Sequence, residues 1–206
     1  GKTLTTYDLM RTLDVRRVLI VTNRPAIANS WFDDFTRFIG HQTTFKFVSE
    51  SPSLAGRSPM NREQWRAYSL DRQDEDPRIV EFVSLQDLKG SQYFGGPYDK
   101  LRHLAQFDWD LLVIDEAHEG IDTTKTDVAF EQIKRARTLH LSGTPFNALA
   151  AGKFEQDQIF NWTYEDEQVA GQQWDQPDHE NPYAALPTLN LWTYQISRMI
   201  TDRLAE

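Results

Sequence analysis

Residues 111–114 read Leu-Leu-Val-Ile, and the next two are Asp115 and Glu116. An unbroken apolar run bounded this sharply belongs to a strand covered on both faces, as in the middle of a parallel sheet. Parallel strands need crossover helices, and the chain alternates accordingly. Arg17–Thr22 (RVLIVT) is a second near-continuous apolar run, and Arg78–Ser84 (RIVEFVS), 43–48 and 138–142 are further strand candidates. Between them lie helical patterns. Tyr7, Met10 and Leu13 share the inner face of an opening helix, and Ile27, Trp31, Phe35 and Phe38 recur at helical spacing between Pro25 and Gly40. Residues 61–70, 98–106 and 127–135 are also read as helices, and 50–59, rich in Ser and Pro, as a loop. The expectation over residues 1–150 is an α/β domain with a mostly parallel central sheet.

Past residue 150 the character changes. The chain carries a net charge of -9, but residues 1–150 hold 19 basic and 21 acidic side chains, and residues 151–206 hold 3 and 10. The acidity belongs to the last quarter, so a basic groove on the first 150 residues is compatible with the total. Within 151–206 the sequence predicts an acidic helix over 163–174, a Pro- and Asn-containing loop over 176–187 and a strand over 189–196. The absence of cysteine excludes a disulfide framework, a thiolate zinc site and a cysteine nucleophile. No apolar stretch approaches the ~18 residues of a membrane span, and nothing reads as a secretory signal. A cytoplasmic location without membrane contact is the expectation.

Three short segments carry chemistry. Gly1-Lys2-Thr3 opens a helical pattern and matches the end of G-x-x-x-x-G-K-[ST]. Exposed N–H groups at a helix start favour an anion, Lys supplies a compact cation, and a Thr hydroxyl can ligate Mg²⁺. Three residues alone also arise by chance. The second segment, Asp115-Glu116-Ala117-His118, places two carboxylates where a strand ends, which is where ligands bind in open α/β sheets. Asp115 suits a Mg²⁺ contact through water, and Glu116 suits activation of an attacking water. The alternatives are an acidic surface turn or a carboxylate–histidine metal site, and the latter would want more histidines than His118. The third segment, Ser142-Gly143-Thr144-Pro145, ends another strand 27 positions after Asp115. By itself it is ordinary turn chemistry.

Together these segments resemble a superfamily 2 helicase or translocase of the DEAD/DEAH-box type, most similar to the helicase (Res) subunits of type I and type III restriction enzymes. Gly1-Lys2-Thr3 matches the end of motif I, Asp115–His118 motif II, and Ser142–Pro145 motif III in its SGTP form. The resemblance covers residues 1 to about 150. It implies a RecA-like P-loop NTPase lobe, a three-layer α/β/α fold whose first strand, with most of the phosphate loop, would precede Gly1. It implies ATP and Mg²⁺ as cofactors. Gly1, Lys2 and Thr3 would hold the nucleotide, Thr3 and Asp115 the metal, and Asp115, Glu116 and His118 would carry catalysis. Ser142, Gly143 and Thr144 would couple nucleotide state to movement. Thr22, Asn23 and Arg24, where motif Ia falls, and Ser84 and Gln86, in a Ser-x-Gln motif, would contact a nucleic-acid backbone. The implied partners are DNA, duplex or single-stranded, a second RecA-like lobe bearing the arginines that complete the site, and restriction–modification subunits. No second lobe is read in 151–206, so the chain is expected to be a fragment, nearly inactive alone.

Other residues carry weaker readings. Arg16, Arg17, Arg24, Arg57, Arg62 and Arg66 form either a phosphate-tracking stripe or, for Arg62 and Arg66, a solvated helix face. Lys134, Arg135 and Arg137 are read as helix C-terminal charges. Trp162, Trp174 and Trp192 are read as stacking platforms for bases or, more commonly, as core or interface side chains. The competing functional reading is a non-catalytic RecA-like module that binds nucleic acid or protein. A third is an ATPase acting on proteins or small molecules.

Overall fold

The five strand candidates form five strands, and each neighbouring pair is parallel. The computed structural model describes residues 1–72, 76–116, 124–150, 152 and 154–190. Within them β1 (Arg17–Thr22), β2 (Phe45–Val48), β3 (Arg78–Ser84), β4 (Trp109–Asp115) and β5 (Arg135–Leu141) lie in the order β2-β3-β1-β4-β5. The apolar runs of β1 and β4 occupy the centre and are buried almost throughout, as two-sided cover requires.

Side chains alternate between the two faces of the sheet. On one face, α1 (Lys2–Thr12) and α2 (Ala28–Phe38) pack Tyr7, Met10, Trp31 and Phe35 against Val18, Ile20, Val80, Phe82, Leu111 and Val113. On the other lie α3 (Arg62–Asp71), α4 (Leu85–Gly90), α5 (Arg102–Gln106) and α6 (Thr124–Glu131). Their Trp65, Leu88, Leu104 and Phe130 meet Leu19, Val21, Ile79, Val83, Leu112 and Ile114. This is the three-layer α/β/α arrangement of a RecA-like lobe. A short α7 (Phe146–Ala150) follows β5.

Several local expectations are corrected. Leu13, just past the end of α1 at Thr12, and Phe38, the last residue of α2, are exposed, and Thr6 and Ile39 are buried instead. The helix expected over 98–106 starts only at Arg102, after Leu101 adopts a left-handed φ of 60°. The unpredicted α4 is started by Ser84, whose hydroxyl accepts the Asp87 N–H at 3.0 Å. At the far end, Trp109 N–H bonds Lys134 O at 2.9 Å, and pairing of Trp109 with Arg135 draws Arg135 out of the helix expected over 127–135 and starts β5 three residues before the strand expected over 138–142. Arg135 still serves the end of α6 from the strand. Its guanidinium donates to the carbonyl oxygens of Phe130 and Ile133, the latter at 2.9 Å.

The chain divides into two units, Gly1–Lys153 and Phe154–Glu206. In the second, α8 (Tyr164–Gln172) begins at a capping box in which Thr163 and Asp166 satisfy each other's backbone N–H groups. None of its residues is buried. Trp174 turns inward within the unit, donating to Gln176 O and His179 O at 3.2 Å and meeting Tyr183 edge-on. Trp162 is exposed. Leu189 and Asn190 are irregular, and the rest of the strand expected over 189–196, with Trp192, lies outside the described residues. Among the described residues no helix is long and apolar enough to cross a membrane.

Candidate functional site

Parallel register brings four strand ends into one row. Ser84 of β3 lies beside Thr22 of β1, Thr22 beside Asp115 of β4, and Asp115 beside Leu141 of β5. Asp115 alternates onto the face of Leu111 and Val113, which is the face covered by α1 and α2. The N-terminus of α1 meets it there. Lys2 Nζ lies 2.5 Å from Glu116 Oε1 and 3.8 Å from Asp115 Oδ1.

Two backbone features make this convergence work. Glu116 has a left-handed φ of 56°. A continuing strand would send its side chain to the opposite face, whereas this turn leaves both carboxylates beside one ammonium. The first turn of α1 contains no acidic residue and Gly1 offers no side-chain cap, so Asp115 and Glu116 supply the negative charge that a helix N-terminus favours.

Asp115 is only 3% exposed, and neutral donors orient it. Oδ2 accepts the Trp31 indole N–H at 2.8 Å, and Oδ1 accepts the Glu116 N–H at 2.9 Å. Lys2 by contrast remains 38% exposed, so the cation stands on the open side. Thr3, half-buried, follows Lys2 on α1, and Gly1 is exposed at its N-cap. Among the described residues no three His, Asp or Glu side chains could together hold a metal. The donor set fits an ion that takes one or two protein oxygens and keeps waters and phosphate, as Mg²⁺ does.

Ser142, Gly143 and Thr144 follow β5 at this same end of the sheet, and the Ser142 hydroxyl accepts the Thr144 N–H at 3.1 Å. His118 lies outside the described residues. Of the five residues assigned to nucleic acid, Thr22 and Ser84 are buried. The Thr22 hydroxyl accepts the Arg24 N–H at 3.1 Å, and the Ser84 hydroxyl caps α4. Arg24 and Gln86 are exposed and Asn23 is half-exposed along the same row.

The arginine stripe does not form as a unit. Arg57 pairs with Asp33, Arg16 with Asp76 at 3.3 Å, and Arg62 with Glu81. Arg62 is neither a solvated face nor a phosphate contact. Burial pulls its guanidinium below the usual arginine value, and Glu81 opposes that pull.

Two buried polar features escaped sequence reasoning. Trp31 reads as a core residue at helical spacing, although a buried indole N–H needs an acceptor. Glu81 sits inside an apolar strand, where a carboxylate signals a buried partner.

Residues 1–147 match the family profile described as "Type III restriction enzyme, res subunit". Over 247 aligned positions the chain is 24% identical to the C-terminal part of a type II restriction enzyme and methyltransferase of Mycoplasma pneumoniae, an alignment covering 100% of the chain and 32% of that protein. The chain thus spans about a third of that relative. A solved structure of the Sulfolobus solfataricus SWI2/SNF2 ATPase core in complex with double-stranded DNA aligns over 71% of the chain and 26% of its own length, with a TM-score of 0.45 and 19% identity. With the motifs, the parallel sheet and a profile match over most of its length, the chain belongs to the type III restriction enzyme res subunit family of helicase superfamily 2.

Proposed function

We propose that Gly1–Lys153 is the nucleotide-binding motor lobe of a DNA helicase or translocase in a restriction–modification system. The observation that carries this reading is the meeting of Lys2, Asp115 and Glu116 where α1 begins and β4 ends. Lys2 and the α1 N-terminus would hold the β- and γ-phosphates of ATP. Asp115, with the Thr3 hydroxyl, would hold Mg²⁺, which supplies charge stabilisation of the transferring phosphoryl group. Glu116, released when Lys2 turns to phosphate, would accept the proton of the attacking water. Ser142, Gly143 and Thr144 would report nucleotide state at the neighbouring strand end, and His118 would serve catalysis with Asp115 and Glu116. Asn23, Arg24 and Gln86 would meet the DNA backbone, and the buried Thr22 and Ser84 would shape the turns that present them.

The chain would work within a longer protein, consistent with its covering 32% of the Mycoplasma relative. A second lobe would complete the ATP site, and residues 151–206 would lead towards it.

The test is ATP hydrolysis by the full-length protein with and without DNA. DNA should stimulate turnover. Glu116→Gln should lower it about 10²–10⁴-fold, the range for losing a general base, with nucleotide binding kept. Lys2→Ala should lose binding itself. Turnover unchanged by DNA would overturn the translocase reading, and full turnover in Glu116→Gln would overturn the site.

A further inference from the structure

We propose that Trp31 is a positioning residue for Asp115, fixing the carboxylate plane so that Oδ1 faces the open side of the site. This rests on the proposed nucleotide site. A carboxylate on a short side chain has a broad, two-fold preference about its last torsion, so burial alone does not decide which oxygen faces an incoming ion. The Trp31 Nε1–H holds Oδ2 at 2.8 Å from the protein side and, with the Glu116 N–H that donates to Oδ1 at 2.9 Å, fixes the plane, so that Oδ1 lies 3.8 Å from the exposed Lys2 ammonium. An uncharged donor is suited to this task, because it orients the oxygen without neutralising the charge that an ion would seek.

The indole is itself held. Trp31 is fully buried, its ring meets Tyr7 edge-on at 5.4 Å, and the Tyr7 hydroxyl donates to the Trp31 carbonyl at 2.8 Å. Burial, followed by the charge of Asp34, pushes the Tyr7 hydroxyl well above its ordinary value, so it stays a proton donor throughout the working range. Tyr7 lies on the same helix as Lys2. One indole therefore joins the phosphate-facing helix, α2 and the metal-facing carboxylate.

The experiment compares wild type with Trp31→Phe, which keeps an aromatic ring and removes the donor, in the full-length protein. Nucleotide binding is titrated at graded Mg²⁺ and in EDTA. The Mg²⁺ concentration for half-maximal effect should rise about 10-fold, as when a group supporting a metal ligand is lost, and metal-free nucleotide affinity should not change. A merely structural role would move both. As a second measurement, ¹⁹F spectra of protein labelled with 5-fluorotryptophan should show one signal that moves in Asp115→Asn and on addition of Mg²⁺–ATP. That variant leaves Trp31 in place, so the test survives even if Trp31→Phe fails to fold. An unmoved spectrum in Asp115→Asn, or a folded Trp31→Phe with wild-type Mg²⁺ dependence, would overturn the positioning role alone. Failure of the wild type to bind Mg²⁺–ATP would overturn the nucleotide site as well.

Discussion

Asp115 and Glu81 are buried acids on the two strands flanking β1, at 3% and 5% exposure, yet they are held by different kinds of partner. Glu81 lies within β3, with Arg62 on one oxygen and His103 Nε2 2.7 Å from the other. The Arg62 guanidinium is fixed in turn over the Phe107 ring at 4.9 Å. That cluster is closed, because its cation is largely covered, at 19% side-chain exposure against 38% for Lys2, and its acceptors are taken. Asp115 is oriented by an indole and a backbone amide, and its cation stands at the rim. Charge satisfied by a buried cation holds a fold together. Charge oriented by neutral groups is left for exchange.

The largest effect should separate the two acids. Glu81→Ala leaves the half-buried Arg62 without its counter-ion and should cost about 3 kcal/mol, the lower end for a buried pair, read as a lower urea midpoint. Asp115→Asn keeps an acceptor for Trp31 and should cost about 1 kcal/mol. Equal losses would break the comparison. Next, replacing the ion pair together, Arg62→Met with Glu81→Leu, should recover most of that loss, since carboxylate and guanidinium go together and His103, at 23% side-chain exposure, keeps access to water. A double variant as unstable as Glu81→Ala would show that packing, rather than charge, is what Glu81 supplies.

Smaller still is a backbone effect at the open cluster. Glu116 sits at a φ of 56°, a conformation that costs a non-glycine residue about 1–2 kcal/mol. Glu116→Gly should therefore melt higher than Glu116→Gln, although both lose the Lys2 partner. The smallest effect comes from a third cluster, Asp87 with Lys100 at 2.8 Å and Ser84 at 2.7 Å. Partial burial pushes the Asp87 carboxyl up, but hydrogen bonds from Lys100 and Ser84 outweigh it and hold the group below its ordinary value. Its stabilisation is present above the unfolded-state value and is lost as pH falls through the lower folded-state one. Because its side chain is 42% exposed, screening limits this to about 0.5 kcal/mol. Thermal melts of wild type and Asp87→Asn should therefore converge on acidification below pH ~4.

Most of the sheet was legible because each strand's burial is written in its own residues. β1 and β3 have the bounds read from the sequence, and Asp115 emerged from four apolar neighbours. What escaped depends on distant partners. Trp31 and Asp115 are 84 positions apart, and Arg62 and Glu81 are 19 apart, so no local pattern marks either pair. The start of α5 was misplaced because Leu101 adopts a left-handed conformation that leucine rarely takes. Among the described residues of the second unit, large apolar side chains such as Phe160, at 83% exposure, stand outward, so periodicity reveals no buried face there.

The outer margin of β5 has one more effect. Among the described residues no strand pairs with that side, and Arg137 stands exposed along it, while the Arg135 guanidinium is taken up by the carbonyls at the end of α6. Bare strand margins invite chains to stick edge to edge. The Arg137 charge on that rim would meet its own copy in a second chain, an electrostatic penalty on edge-to-edge pairing that would weaken as salt is raised.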